Sequence, residues 1–332
     1  MTQESAVLPG LMLVSVDQIK AELTMRDTIT IVENAFRLQA EGKTIMPCKI
    51  YLDLAESHGD FRAMPAYIDG AAGIKWVSVF TKNRELDLPT VLGTIILSDP
   101  TTGAVQAVME GSFITEMRTG ATGGVAVKYL ARRDASVVGL IGAGVQARTQ
   151  IMAISEVLPA IKMVKVFDLN GMTASLFAEE MGRKLKLNVK AVDTIGLAAD
   201  ADVIVTTTPS TRPVLLRQHV KPGTHINAIG ADAAGKQELD IEILKSGKII
   251  VDDMEQAAHS GEINVGLTKK EINLNNIYGT LGQVIAGIKK GRETDEEITI
   301  FDSTGLAIQD VCCAKFVYEK VKAKDLPRYR IY

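Results

Sequence analysis

The stretch Val137-Val-Gly-Leu-Ile-Gly142-Ala-Gly144-Val-Gln-Ala147 constrains this chain more than any other. An apolar run of the kind buried in a parallel sheet ends at Gly142, and a helical pattern, Val145–Val157, opens directly behind it. GxGxxA alone recurs by chance; between a strand and a helix it is the dinucleotide fingerprint. Gly142 permits the tight turn, Gly144 lets a pyrophosphate approach the backbone, and Ala147 keeps the helix close to the sheet. The helix start then offers unpaired N–H groups and a partial positive charge to the phosphates. A second strand, Met163–Phe167, delivers Asp168, 26 residues beyond Gly142, where a carboxylate accepts ribose hydroxyls of the adenosine half. Leu169-Asn170 brings no arginine for a 2′-phosphate, so NAD is expected over NADP. The alternative is a glycine turn in an α/β protein that binds another nucleotide or none.

The surrounding rhythm supports a doubly wound sheet. Apolar strands at Val137–Ile141, Met163–Phe167, Val189–Val192, Val203–Thr207, Thr224–Ile229, Ile249–Val251 and Ile298–Phe301 are separated by helical or looped crossovers. A last helix, Leu306–Val321, follows. Upstream the period differs. Ser15-Val-Asp-Gln18 has the capping-box pattern, and a second helix starts at Thr24 with Met25, Ile29, Val32 and Phe36 on one face, ending before Gly42. Residues 45–110 read as an antiparallel sheet, with a turn at Asp99-Pro-Thr-Thr-Gly103, and Ser112–Ala131 as a long helix leading out of it. The fold class is therefore α/β, a Rossmann NAD-binding domain joined to an α+β domain. The length, 332 residues, suits two domains.

Composition excludes several partners. With 37 basic and 40 acidic residues the net charge is −3, which gives no general attraction to nucleic acid or to an anionic membrane. Three cysteines, Cys48, Cys312 and Cys313, form no metal spacing and no disulfide framework, and vicinal Cys312-Cys313 reads as small apolar packing. His58, His219, His225 and His259 show no ligand spacing, so no metal is expected. The opening Met-Thr-Gln-Glu-Ser lacks a basic n-region and an apolar h-region, and no apolar run spans a bilayer, so a soluble cytoplasmic protein is expected.

Nearly end to end, the sequence resembles the ornithine cyclodeaminase/μ-crystallin superfamily. The resemblance is carried by Arg62-Ala-Met-Pro65, Gly73-Ile-Lys75-Trp76, Leu88-Pro-Thr90, Arg118-Thr-Gly-Ala121, Gly142-Ala-Gly144, Thr206-Thr-Thr-Pro209, Asn227-Ala-Ile-Gly-Ala-Asp232, Gly261-Glu-Ile263 and Phe301-Asp-Ser-Thr-Gly305. Within that group the tracts Gly223–Asp232, Gly235–Leu244 and Asp295–Val311 look most like archaeal-type alanine dehydrogenases. The resemblance implies a split first domain, residues 1–128 with 306–332, that binds substrate and forms a homodimer, around an NAD-binding domain at 129–305.

It also implies roles that spacing alone leaves open. Lys75, between apolar Ile74 and Trp76, matches a catalytic and substrate-binding lysine; burial would push its pKa toward neutrality, whereas the pattern alone favours a solvated strand lysine. Asp232 matches a proton-transferring aspartate at the carboxyl edge of the sheet; a helix N-cap is the other reading. Arg62 and Lys49, on paired strands, match substrate-carboxylate binders, and surface cations are the alternative. The cyclodeaminases carry a glutamate where Arg62 stands, suited to an amino group; a cation there favours a short 2-oxo acid. Arg118 matches an arginine shared by substrate and cofactor. Thr90, Val145, Gln146, Thr208, Asn227, Ile229, Asp232, Ser303, Thr304 and Gly305 match further cofactor positions, beside Gly142, Gly144 and Asp168. The activity implied is that of an NAD-dependent amino-acid dehydrogenase taking L-alanine, NAD⁺ and water to pyruvate, ammonium and NADH. The rivals are an ornithine cyclodeaminase or cyclic-imine reductase, and a non-catalytic NAD(P)-dependent binder like the μ-crystallins.

Overall fold

A computed structural model describes residues 10–331, apart from the side chain of Arg84. The opening five residues, on which the expectation about targeting rests, lie outside that range. In chain order the elements are β1 (Leu11–Val14), α1 (Val16–Glu22), α2 (Met25–Ala40), β2 (Thr44–Ile45), β3 (Ile50–Leu54), β4 (Gly59–Ile68), β5 (Ala71–Phe80), β6 (Val91–Ser98), β7 (Val105–Glu110) and α3 (Ser112–Leu130). They continue with β8 (Val137–Ile141), α4 (Val145–Val157), β9 (Met163–Phe167), α5 (Gly171–Leu185), β10 (Val189–Ala191), α6 (Ile195–Ala199), β11 (Val203–Thr206) and β12 (His225–Ala228). The rest are α7 (Ile241–Ser246), β13 (Lys248–Val251), α8 (Met254–Ser260), α9 (Asn264–Thr268), β14 (Ile277–Thr280), α10 (Leu281–Ile285), β15 (Thr299–Asp302), α11 (Ala307–Val321) and β16 (Arg328–Tyr329). None of the described helices is long and apolar enough to cross a membrane.

The chain divides into two compact units, one of Met1–Thr24, Gly42–Thr115 and Ala307–Tyr332, the other of Met25–Glu41 and Glu116–Leu306. The second therefore takes in α2 and most of α3, which the sequence reading sets in the first.

The first unit is an eight-stranded sheet in the order β16-β1-β7-β6-β5-β4-β2, with β3 also paired to β4. Its middle strands are antiparallel as the period-two pattern predicts, but β1 runs parallel to β7. One face, carrying Met64, Lys75, Val77, Ile95 and Met109, is buried, and α11 packs on β4, β5 and β6. Gly73 in β5 makes room for that helix, since a Cβ there would stand 3.2 Å from Val311. The opposite face carries exposed Leu13, Ile50, Leu52, Trp76 and Leu92, with Trp76 stacked on Phe61. At the start of α1, Ser15 and Gln18 cap each other reciprocally, as their spacing predicts.

The second unit is an eight-stranded parallel sheet in the order β10-β9-β8-β11-β12-β15-β13-β14. Its strand order reverses between β8 and β11, which is the crevice where ligands bind in such sheets. Fully buried Val138, Leu140, Val164, Val166, Val203 and Val205 pack against α4 and α5 on one face. On the other, Ile204, Ile226, Ile249 and Ile300 pack with Ile243 and Ala257. The helix α3 lies on α4 through Gly120, Gly123 and Gly124, where an added Cβ would stand 2.4 Å from the Thr149 carbonyl oxygen, 1.8 Å from Gln150 and 2.8 Å from Ala153 respectively. Only glycine lets the two helices approach so closely.

Candidate active site

The fingerprint loop forms as its residues dictate. Gly142 sits at φ +98°, reserved in practice for glycine, and its N–H donates to the Phe167 carbonyl at 2.8 Å. A Cβ at Gly144 would meet nothing within 4 Å, so the chain passes an open space there, and no side chain caps the start of α4. Arg148, one turn into α4, donates to the carbonyls of Ala143 and Gly144 at 2.8 and 3.1 Å. Both carbonyls are thus satisfied, and Ala147 is fully buried. Asp168 accepts the Ala143 N–H at 2.9 Å through one oxygen and the Asn170 N–H at 2.9 Å through the other, beside a Leu169 that is 96% exposed. An uncapped helix start, an open glycine and a carboxylate at the next strand end fit a dinucleotide.

The other loops at that edge are held by buried carboxylates. Asp252 accepts the N–H groups of Thr304 and Gly305 at 2.6 and 2.8 Å, fixing Ser303–Gly305. Gly305, at φ +79°, lies against the buried Arg118 guanidinium; a Cβ would stand 2.4 Å from an Nη atom. Glu238 accepts from Thr208 N–H, Gly230 N–H and the Thr206 hydroxyl. Asp232 lies in the loop after β12, not at a helix N-cap, and its carboxylate meets Lys236 Nζ at 2.5 Å.

Two expected cofactor positions are committed elsewhere. The Asn227 side chain is fully buried, its Oδ1 accepting from His225 Nε2 at 2.9 Å and its Nδ2 donating to the Gly123 carbonyl at 3.1 Å, so it joins β12 to α3. Ile229 is buried too, its N–H donating to the Thr206 carbonyl. Gln146 is half-buried and Val145 exposed, on the first turn of α4. Thr90 belongs to the first unit, half-buried just ahead of β6, its carbonyl accepting the Phe80 N–H.

In the first unit the two key cations share the covered sheet face. Lys75 is 1% exposed, with Nζ 2.8 Å from an oxygen of fully buried Asp310 on α11 and donating to the Thr115 hydroxyl at 3.2 Å. The solvated strand lysine is therefore excluded. The Lys75 amine thus faces a carboxylate across the covered side of the sheet. Arg62 is buried on the neighbouring strand, bonded to Asp60 through Nε at 2.6 Å and one Nη at 3.2 Å, with its plane 5.3 Å from the Tyr51 ring. A substrate carboxylate would have to reach it from another direction than this side-on edge. Lys49 is half-buried immediately before β3, whose residue Tyr51 pairs with Arg62.

The sequence reading misses Asp310, Asp60, Lys236 and Glu238. Asp310 carries a signal that could have found it: it is a lone charge in the otherwise uncharged tract Ser303–Ala314, and a charge so placed needs a partner. Among the described residues no three His, Cys, Asp or Glu side chains gather as metal ligands would.

Fold and site together define a Rossmann-type dinucleotide-binding protein with a second sheet unit that buries a lysine and an arginine. The profile of the Ornithine cyclodeaminase/mu-crystallin family matches residues 11–325, and the chain belongs to that family. It is 50% identical over 311 residues to an alanine dehydrogenase of Archaeoglobus fulgidus, covering 93% of this chain and 95% of the relative. A solved archaeal alanine dehydrogenase dimer with bound NAD has a TM-score of 0.94 at 47% identity, covering 97% of this chain and 99% of its own. The Delta(1)-pyrroline-2-carboxylate reductase of Thermococcus litoralis, solved with NADH and L-proline, has a TM-score of 0.92 at 39% identity, covering 95% and 98%.

Proposed function

We propose that this chain is an NAD-dependent alanine dehydrogenase, interconverting L-alanine, NAD⁺ and water with pyruvate, ammonium and NADH, and that it works as a homodimer. The observation that carries the reading is the pair of buried cations, Arg62 and Lys75, on one covered sheet face. Each is paired with a carboxylate, Asp60 and Asp310, so what they offer an anionic 2-oxo acid is directed N–H donors rather than net positive charge. The identity to an alanine dehydrogenase supports the same assignment, and the solved dimer supports the assembly.

When bound, NAD supplies a hydride acceptor at nicotinamide C4. Gly142, Gly144, Val145 and Gln146 would hold its pyrophosphate and Asp168 its ribose, while Arg118, Thr208, Asp232 and Ser303–Gly305 would take the remainder, with Thr90 as a further contact. Arg62, with Lys49, anchors the substrate carboxylate. Lys75, held in place by Asp310, hydrogen-bonds the 2-oxo or imine group. Asp232 accepts and returns protons as water adds to or leaves the substrate carbon. The protein's part is orientation and proton handling.

A second reading, a cyclic-imine reductase, is favoured by the likeness to the pyrroline-carboxylate reductase. One spectrophotometric experiment separates them. NADH consumption with pyruvate and ammonium is the expected result. Consumption with Δ1-pyrroline-2-carboxylate and none with pyruvate would establish the reductase. Proline formed from ornithine without net NADH change would establish a cyclodeaminase.

A further inference from the structure

Glu238 lies in no element of the sheet, yet three donors converge on its fully buried carboxylate. Thr208 N–H reaches one oxygen at 2.6 Å; the Thr206 hydroxyl and Gly230 N–H reach the other at 2.7 and 2.8 Å. Thr206 ends β11, Thr208 lies in the loop after it, and Gly230 lies in the loop after β12. The loops are in backbone contact: a Cβ on Gly230 would stand 2.2 Å from the Thr208 carbonyl oxygen and 2.7 Å from Glu238 Cδ. Glycine at 230 is therefore what admits the carboxylate. Glu238 is in turn seated by its own backbone, its N–H donating to the Glu262 carboxylate at 3.0 Å and its carbonyl accepting from Val214 and Leu215 at 2.7 and 3.0 Å.

Burying a carboxylate is costly, and burial here raises the Glu238 pKa. An apolar filler would serve packing better, so the charge answers a demand for placement. Only an acceptor-only group satisfies three converging donors; a glutamine would turn its NH₂ toward one of them. What is placed is specific: Thr208, and Asp232 two residues beyond Gly230.

We propose that Glu238 is a positioning residue for the reacting end of the cofactor, fixing Thr208 and the Gly230–Asp232 segment relative to one another. The inference rests on the dehydrogenase reading, but its first arm needs no substrate. Glu238→Gln keeps size and shape, and its effect is measured by titrating NADH and, separately, ADP, which uses only the half that meets Gly142–Gln146 and Asp168. The expected result is ADP affinity within about twofold of the unaltered protein and NADH affinity weakened roughly tenfold or more, the scale of one lost hydrogen bond to a charged group. In the amination assay kcat should fall further than the pyruvate KM rises, and Glu238→Asp, which keeps the acceptor, should recover part of the loss. Should Glu238→Gln fail to fold, Thr206→Val removes one donor alone and must show the same selective loss in smaller degree. Equal loss of ADP and NADH affinity would reduce Glu238 to a structural group, and unchanged NADH affinity and kcat would overturn the proposal. If alanine is not a substrate, the selective NADH loss still stands on its own, so the two readings fail separately.

Discussion

The buried lysine is the residue on which most depends. Lys75 and Asp310 are 1% and 0% exposed at their side chains and 2.8 Å apart, so each is the other's compensation for leaving water. Lys75→Met should lower kcat by roughly two to four orders of magnitude, the usual contribution of a positioned acid or base. It should also lower the melting temperature, because the buried Asp310 carboxylate loses the amine 2.8 Å away. NADH titration should be unchanged, since the fingerprint loop is untouched; near-normal turnover at saturating pyruvate and ammonium would remove Lys75 from the chemistry. Little of this pair was legible in periodicity. Strand β5 is apolar on both faces, with Ile74 and Trp76 on one and Val77 and Val79 on the other, so alternation could not say which face α11 covers. Family likeness singled out the lysine, and only the fold supplied its partner.

At the scale of elements, seven of the eight strands of the parallel sheet were legible, each within a residue or two, because a strand buried on both faces is a continuous apolar run. Strands β1 and β14 were not. Leu11–Val14 is only four residues long, and Ile277–Thr280 contains Tyr, Gly and Thr, so neither has a period to read. Strand β12 carries the feature with the clearest titration consequence. His225 lies fully buried between Thr299 and Asn227, and burial pushes its pKa down to about 3. The folded state therefore keeps this imidazole neutral, while the unfolded chain protonates it below its ordinary value of 6.5. Between those limits the unfolded state binds more protons, so stability is full above the upper one and declines as the pH falls. Thermal melting at pH 7 and pH 5 should show that decline, and His225→Gln should flatten it. An unaltered slope in the variant would assign the acid sensitivity to other groups. Glu238 and Glu262 act with the opposite sign, since burial raises both and their contribution is lost as pH rises.

For the molecule as a whole, the open face of the first sheet is the surface that asks for a partner. Ile50, Leu52, Trp76, Leu92 and Leu13 lie on it, with Trp76 42% exposed, and an apolar patch of that kind marks an interface. The occupant that fits the proposed homodimer is a second copy of the same sheet face. Trp76→Glu places a charge on strand β5 of the patch, on the face opposite its neighbour Lys75. Sedimentation should show a dimer for the unaltered protein and a monomer for the variant at the same concentration; a dimer in both would move the interface elsewhere.

The first sheet is also assembled out of chain order. Strands β1 to β7 are complete by Glu110, whereas α11, which shields their inner face and carries the counter-charge of Lys75, begins only at Ala307. Between them the ribosome makes the whole parallel sheet, which closes on its own with β15. During that interval α11 is not there to cover Met64, Ile95 and Met109, nor Asp310 to pair with Lys75. The lysine thus becomes what it is late in translation, and a nascent chain halted before Ala307 should be the form that chaperones hold.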